Sequence, residues 1–122
     1  MKFYVCRHCG NVIAYAVDSG VKVVCCCDEM QELVAGTVDA SKEKHIPVIT
    51  QEGNVVTVKI GSVAHPMTEE HYIAWIFLET KHGNQRVELD HVGQPEAKFA
   101  LLDSDNVVAA YEYCNIHGLW KA

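Results

Sequence analysis

The sequence has no cluster of basic residues. Ten Lys and Arg stand against sixteen Asp and Glu, and the formal net charge of -6 argues against a nucleic-acid partner. It has no apolar run of transmembrane length, so no membrane association is expected. Low-complexity tracts are absent, and no long stretch combines a helical period with caps. The opening "MKFYVCRHCG" reaches cysteine and polar residues too soon for a secretory leader, and the protein is expected in the cytoplasm. What is left is an ordinary globular composition, 49% hydrophobic and 21% charged over 122 residues. That length suits one domain, or a small module with a medium one.

What the chain does have is cysteine and histidine. In a reducing compartment six cysteines are poor candidates for disulfides and better ones for metal ligands. Five lie between Cys6 and Cys27, whereas Cys114 stands alone near the end. The histidines with suggestive neighbours, His45, His65, His71 and His117, all lie in the later part. This asymmetry predicts two modules with a site each, over residues 1–36 and 37–122. The first has short β-rich pieces, "FYVC", "VIAYAV" and "VKVVC", with a turn at Asp18-Ser19-Gly20. Its apolar content is too small for a free-standing core, so a metal or disulfide staple is expected.

The second part reads as all-β. "VVTVKI" alternates, with Val56, Val58 and Ile60 on one face. "YIAWIFLE" is apolar on both faces, and "VVAAYEY" runs straight into Cys114. Turn signals at "QEGN", "KHGN", "GQP" and "DSD" separate the strands, a spacing that suits an antiparallel sandwich or barrel. The expected fold is therefore a small β module followed by an antiparallel β-sandwich.

"CRHC" supplies Cys6 and Cys9, and "CCCDEM" supplies Cys25, Cys26 and Cys27. A Cys-x-x-Cys loop offers two thiolates to one ion, and a second pair completes a four-sulfur site suited to zinc or iron. Neighbouring cysteines on an extended chain point to opposite sides, so both reach one metal only where the backbone bends sharply. Spacing alone does not choose two of the three. His8, inside the first loop, reads as solvent-facing.

"SKEKHIPV", "AHPMTEEHY" and "CNIHGLW" each place histidine at a strand end or in a loop. His65 and His71 flank a proline-containing loop that can curl and turn both imidazoles inward. Four imidazoles and one thiolate make a borderline-soft donor set suited to iron or copper. Copper is weakened because no methionine follows Cys114. A Cys114–His117 nucleophile and base would need an orienting third group and an oxyanion hole, neither of which is evident. His82 and His91 read as surface residues. Tyr111, Tyr113 and Trp120 are expected to pack the strand end and shield the site, and Glu112 has no assignable role.

With both clusters quoted, the chain resembles the desulfoferrodoxins, the two-iron superoxide reductases. The likeness rests on Cys6-x-x-Cys9, the adjacent cysteines from Cys25, and "EKHIP", "HPM", "HYI" and "CNIHGLW" in that order. It implies a desulforedoxin-like module with one iron on Cys6, Cys9, Cys25 and Cys26, then an immunoglobulin-like sandwich. There a second iron would rest on His45, His65, His71, His117 and an axial Cys114. Glu43 and Lys44 match the family's Glu-Lys pair, Lys44 to attract the superoxide anion and Glu43 to fill the vacant position after turnover. Cys27 is the departure, since a non-ligand is usual there, and it could compete with Cys25 and Cys26. The resemblance further implies a rubredoxin-like electron donor and a homodimer. The rival readings are a non-catalytic two-metal electron carrier and a zinc module fused to a binding domain.

Overall fold

The computed structural model describes residues 1–122, which fall into two compact units, Met1–Val34 and Ala35–Ala122. In the first, β1 (Phe3–Val5) is the middle strand between β2 (Val12–Ala14) and β5 (Gln31–Leu33), both antiparallel to it. A separate hairpin pairs β3 (Val24–Cys25) with β4 (Asp28–Glu29). Few side chains of this unit are buried, Phe3, Val5, Cys6 and Met30 among them. So small an interior agrees with the need for a staple.

The hairpin answers how adjacent cysteines can serve one cluster. Val24 pairs with Glu29 and Cys25 with Asp28, which leaves Cys26 and Cys27 as a two-residue loop. Both have positive φ, 51° and 66°, the arrangement of a type I′ turn that normally favours Asn-Gly. The sharp bend that the cysteine run requires is therefore built from left-handed backbone.

The second unit has a single helical turn, α1 (Lys42–His45), in the charged stretch that leads to His45. Ile46 N–H donates to Lys42 O at 2.9 Å and closes the turn. Seven strands follow: β6 (Pro47–Glu52), β7 (Val55–Ile60), β8 (Ile73–Thr80), β9 (Asn84–Glu88), β10 (Glu96–Ala100), β11 (Val107–Cys114) and β12 (Gly118–Lys121). They form two antiparallel sheets, ordered β10-β7-β6 and β12-β11-β8-β9. Packed face to face, these make the expected all-β sandwich. Val56, Val58 and Ile60 from one sheet meet Ile73, Ile76, Leu78, Ala110 and Cys114 from the other in a single core. The alternation read in "VVTVKI" is the reason: the three core side chains have no exposed surface, each worth about 1.5–3 kcal/mol of burial.

Register shifts on the larger sheet decide what reaches that core. Tyr113 pairs with Trp75 but Cys114 pairs with Ile73, so Ala74 is an extra residue on β8. Without this bulge Ile73 would share a face with Trp75; with it, Ile73 returns to the core beside Cys114. Strand parity also corrects one expectation. Cys114 and Glu112 face the core side of β11, whereas Tyr111 and Tyr113 point the other way. Tyr113 stacks on Trp75 at 5.6 Å and Tyr111 meets Phe77 edge-on at 6.3 Å. The two tyrosines therefore do not shield the site; only Trp120 does.

Candidate metal centres

In the first unit the sulfurs of Cys6, Cys9, Cys25 and Cys26 all lie within 4.8 Å of one another, and Cys9 Sγ is 3.6 Å from Cys25 Sγ. Cys27 stands outside this group, exposed at the end of the hairpin loop. After Cys6 the chain curls back, with Gly10 N–H donating to Cys6 O at 2.9 Å. The curl turns the N–H groups of Cys9 and His8 toward the Cys6 sulfur, which holds its pKa down to about 6. Cys26, crowded by Cys6, Cys9 and Cys25, is pushed up to about 12. Four sulfurs this close do not all ionise unaided, so the cluster as a thiolate set calls for a cation. His8 pairs with Asp28 on the outside, which raises its pKa.

In the second unit four histidines and one cysteine converge from separate elements. His45 comes from the end of α1, His65 and His71 from the β7–β8 loop, Cys114 from the end of β11 and His117 from the β11–β12 turn. The imidazoles form a closed ring. Successive centroids, His45 to His65 to His71 to His117 and back, lie 4.7, 4.5, 5.1 and 4.9 Å apart. Each neighbouring pair is nearly perpendicular, between 78° and 83°, whereas the diagonal His45–His71 pair is 6.4 Å apart. That is a square with its rings set like the blades of a propeller.

Donor atoms point into the square. The ligand atoms of His45, His65, His71 and Cys114 lie within 4.8 Å of one another. His117 Nδ1 lies 3.1 Å from His45 Nε2 and 3.8 Å from Cys114 Sγ. His45 Nδ1 donates to Ser41 O and His65 Nδ1 to Pro66 O, both at 2.7 Å. Each bond places the proton on Nδ1 and leaves the Nε2 lone pair facing inward. The Nε2 atoms of His65 and His71 are buried without a protein partner. Buried acceptors are rarely left so, and here they mark room for a cation. Burial holds His45, His65 and His71 neutral by lowering their pKa values, that of His65 to about 4.

Cys114 is fully buried, and burial raises its pKa against the backbone N–H groups of His117 and Ile116 that favour its thiolate. Trp120 covers one side, its ring 4.8 Å from that of His45 and its Nε1–H donating to His117 O at 3.1 Å. Lys44 is exposed, and its charge is felt at His45 and His71. Glu43 is exposed too, with Ser41 Oγ donating to its Oε1 at 3.4 Å. Its carbonyl accepts from Val63 N–H at 3.1 Å and Ser62 Oγ at 3.3 Å, which ties the Glu43-Lys44 turn to the loop after β7.

Two features escape sequence reading. Glu112, one residue pair up β11 from Cys114, is completely buried with both carboxylate oxygens unpartnered, and desolvation pushes its pKa up to about 9. Strand parity was the available signal, since Glu112 and Cys114 share a face. Asn115 ties the loop that carries His71 to the end of β11 at Cys114, and nothing in the local sequence announces that.

A β-sandwich bearing four inward imidazoles and a buried thiol, with a four-thiol module ahead of it, is the framework of a non-haem metal-binding oxidoreductase. The desulfoferrodoxin family model matches residues 37–122. A desulfoferrodoxin homolog from Archaeoglobus fulgidus is 45% identical over all of this chain and 96% of its own. The crystal structure of the superoxide reductase from Treponema pallidum superposes with a TM-score of 0.85 at 46% identity, covering 99% of this chain and 97% of that one. A superoxide reductase (1Fe-SOR) from Giardia intestinalis, 38% identical, matches 66% of this chain and 96% of its own, with a TM-score of 0.51. The chain belongs to the desulfoferrodoxin family.

Proposed function

We propose that the protein reduces superoxide to hydrogen peroxide, with one electron and two protons per superoxide, at an iron held by His45, His65, His71, His117 and Cys114. The observation that carries this reading is the square of imidazoles with a sulfur beside it and two buried Nε2 atoms lacking any partner. Iron held by these five residues would supply the single electron and would have room for a small ligand.

The surrounding residues divide the remaining work. Ser41 and Pro66 carbonyls fix the His45 and His65 tautomers, so both rings are ready to bind without reorganisation. The Ile116 and His117 N–H groups favour charge on the Cys114 sulfur in an otherwise apolar setting. Lys44 offsets the protein's net charge of -6, which by itself would repel an anionic substrate. Glu43 is assigned to the rim, as the carboxylate that covers the entrance between turnovers.

Cys6, Cys9, Cys25 and Cys26 are assigned to a second iron. Four sulfurs would hold that iron, a donor set that suits an electron relay or a structural staple rather than substrate binding. A small rubredoxin-like protein is the proposed electron donor, the cytoplasm the proposed compartment and a homodimer the proposed assembly. No helix is long and apolar enough to cross a membrane.

Metal analysis combined with pulse radiolysis of the reduced protein tests the reading. The expected result is two irons per chain, rapid bimolecular loss of superoxide, one peroxide formed per superoxide and no dioxygen. A two-metal electron carrier would hold the irons yet leave superoxide to decay at its own rate. Zinc in place of iron would refute the redox chemistry outright.

A further inference from the structure

Two of the four histidines are anchored through their own rings, His45 and His65, by Nδ1 bonds to carbonyls, while His117 is held at its backbone carbonyl by Trp120 Nε1–H. The His71 ring makes no bond to a carbonyl. Its position must come from its backbone, and two residues hold that backbone. Thr68, within the same loop, donates N–H to His71 O at 2.9 Å and accepts from His71 N–H on Oγ1 at 3.1 Å. This brace is internal, and fixes the shape of the loop without saying where the loop sits.

The second holder is Asn115. Its Oδ1 accepts from Tyr72 N–H at 2.9 Å, and its Nδ2 donates to Glu70 O at 2.9 Å. Its own N–H donates to Tyr72 O at 3.1 Å. The side-chain amide thus acts as an extra peptide unit. It continues the β8–β11 pairing past the Ala74 bulge, where the regular ladder ends at Cys114 and Ile73. The bonds fall on the residues either side of His71, and Asn115 itself follows Cys114. One amide therefore fixes the distance between the end of the β7–β8 loop, which carries the His71 imidazole, and the end of β11, which carries the thiol.

We propose that Asn115 is a positioning residue that sets His71 against Cys114, and so sets the geometry of the iron centre. The inference rests on the assignment of that centre to His71 and Cys114. A rigid element could have done this job, but the loops here are surface chain and Asn115 is itself exposed. Water competes for such bonds, so the latch works through having three of them in register rather than through any single one.

The test uses the full-length iron-loaded chain as wild type, Asn115→Ala and Asn115→Asp. The Ala variant loses both side-chain bonds; the Asp variant keeps an acceptor for Tyr72 N–H and loses the donor to Glu70 O. Two readouts are followed, the thiolate-to-iron absorption band of the His–Cys centre and the rate at which that centre gives iron to a chelator. The four-thiol centre, with its own spectrum, is the internal control. For Asn115→Ala the expected result is a displaced band and release faster by roughly 10–100-fold, the usual cost of removing a support around a metal ligand. Asn115→Asp should fall between Ala and wild type, and the control centre should not change. An unmoved band with unchanged release in both variants overturns the proposal. So does equal acceleration at both centres, which would signify general loosening of the fold. If wild type itself shows no His–Cys band, the assignment of the centre fails first; a band present in wild type and indifferent to Asn115 refutes the latch alone.

Discussion

Glu112 offers the sharpest test of the electrostatics around the site. Its carboxyl is fully buried, neither oxygen has a partner, and its pKa rises from 4.5 to about 9. At pH 7 the folded protein therefore holds Glu112 protonated, while the unfolded chain ionises it freely. The folded-state pKa is the raised one, so the stability this group leaves intact below pH 4.5 is lost progressively as pH climbs toward 9. Each unit is worth 1.36 kcal/mol, and the 2.5 units between 4.5 and 7 amount to about 3 kcal/mol of destabilisation. Glu112→Gln keeps the shape and the polar burial but removes the titration. The variant should then be up to about 3 kcal/mol more stable than wild type at pH 7, and the two should converge near pH 4. Urea unfolding followed by tryptophan fluorescence measures this, because Trp75 and Trp120 both lie in the second unit. With iron bound the gap should narrow, since a cation at Cys114 favours a nearby carboxylate. A gap that ignores pH, or one that grows in wild type's favour as pH rises, would show that Glu112 carries no raised pKa, and the reasoning would be wrong.

Other perturbations probe the supports of the site. Gly61 has φ +85°, and a Cβ there would sit 2.3 Å from Val63 O and 2.8 Å from both Glu43 O and Lys44 Cα. Gly61→Ala should cost more than the roughly 1–2 kcal/mol of left-handed backbone strain and displace the Glu43-Lys44 turn, read as a lowered melting temperature and a slower superoxide reaction. Lys44→Ala should slow the bimolecular reaction with superoxide by about 10-fold and flatten its dependence on ionic strength, with iron content unchanged. Equal rates would remove Lys44 from the mechanism. Cys27→Gly places the residue a type I′ turn favours at φ 66°, so the first unit should melt higher and keep its metal. Loss of one iron per chain would show that Cys27 is a ligand after all.

Much of this architecture was legible in the residues. Val56, Val58 and Ile60 declare one buried face because strand side chains alternate, and the chain has no other way to hide all three. The histidines and Cys114 could be singled out because donors of that softness seldom gather without a metal. The tyrosines beside Cys114 depart from the sequence expectation for a matching reason. Nearness along the strand suggests a shared site, but Tyr113 and Tyr111 stand one and three residues from Cys114, and an odd step turns each to the opposite face.

The residues alone specify the donor types, the strand alternation and the order in which the ligand-bearing segments come. Their geometry comes from the folded chain. The ring order of the four imidazoles joins residues up to 72 positions apart, and no local pattern encodes which ring neighbours which. The Ala74 bulge, which returns Ile73 to the core beside Cys114, exists only as a mismatch between two paired strands. The burial of Glu112 and the latch of Asn115 arise in the same way. Each depends on what lies across a sheet or a loop, and the free energy that fixes it is shared between segments distant in the chain.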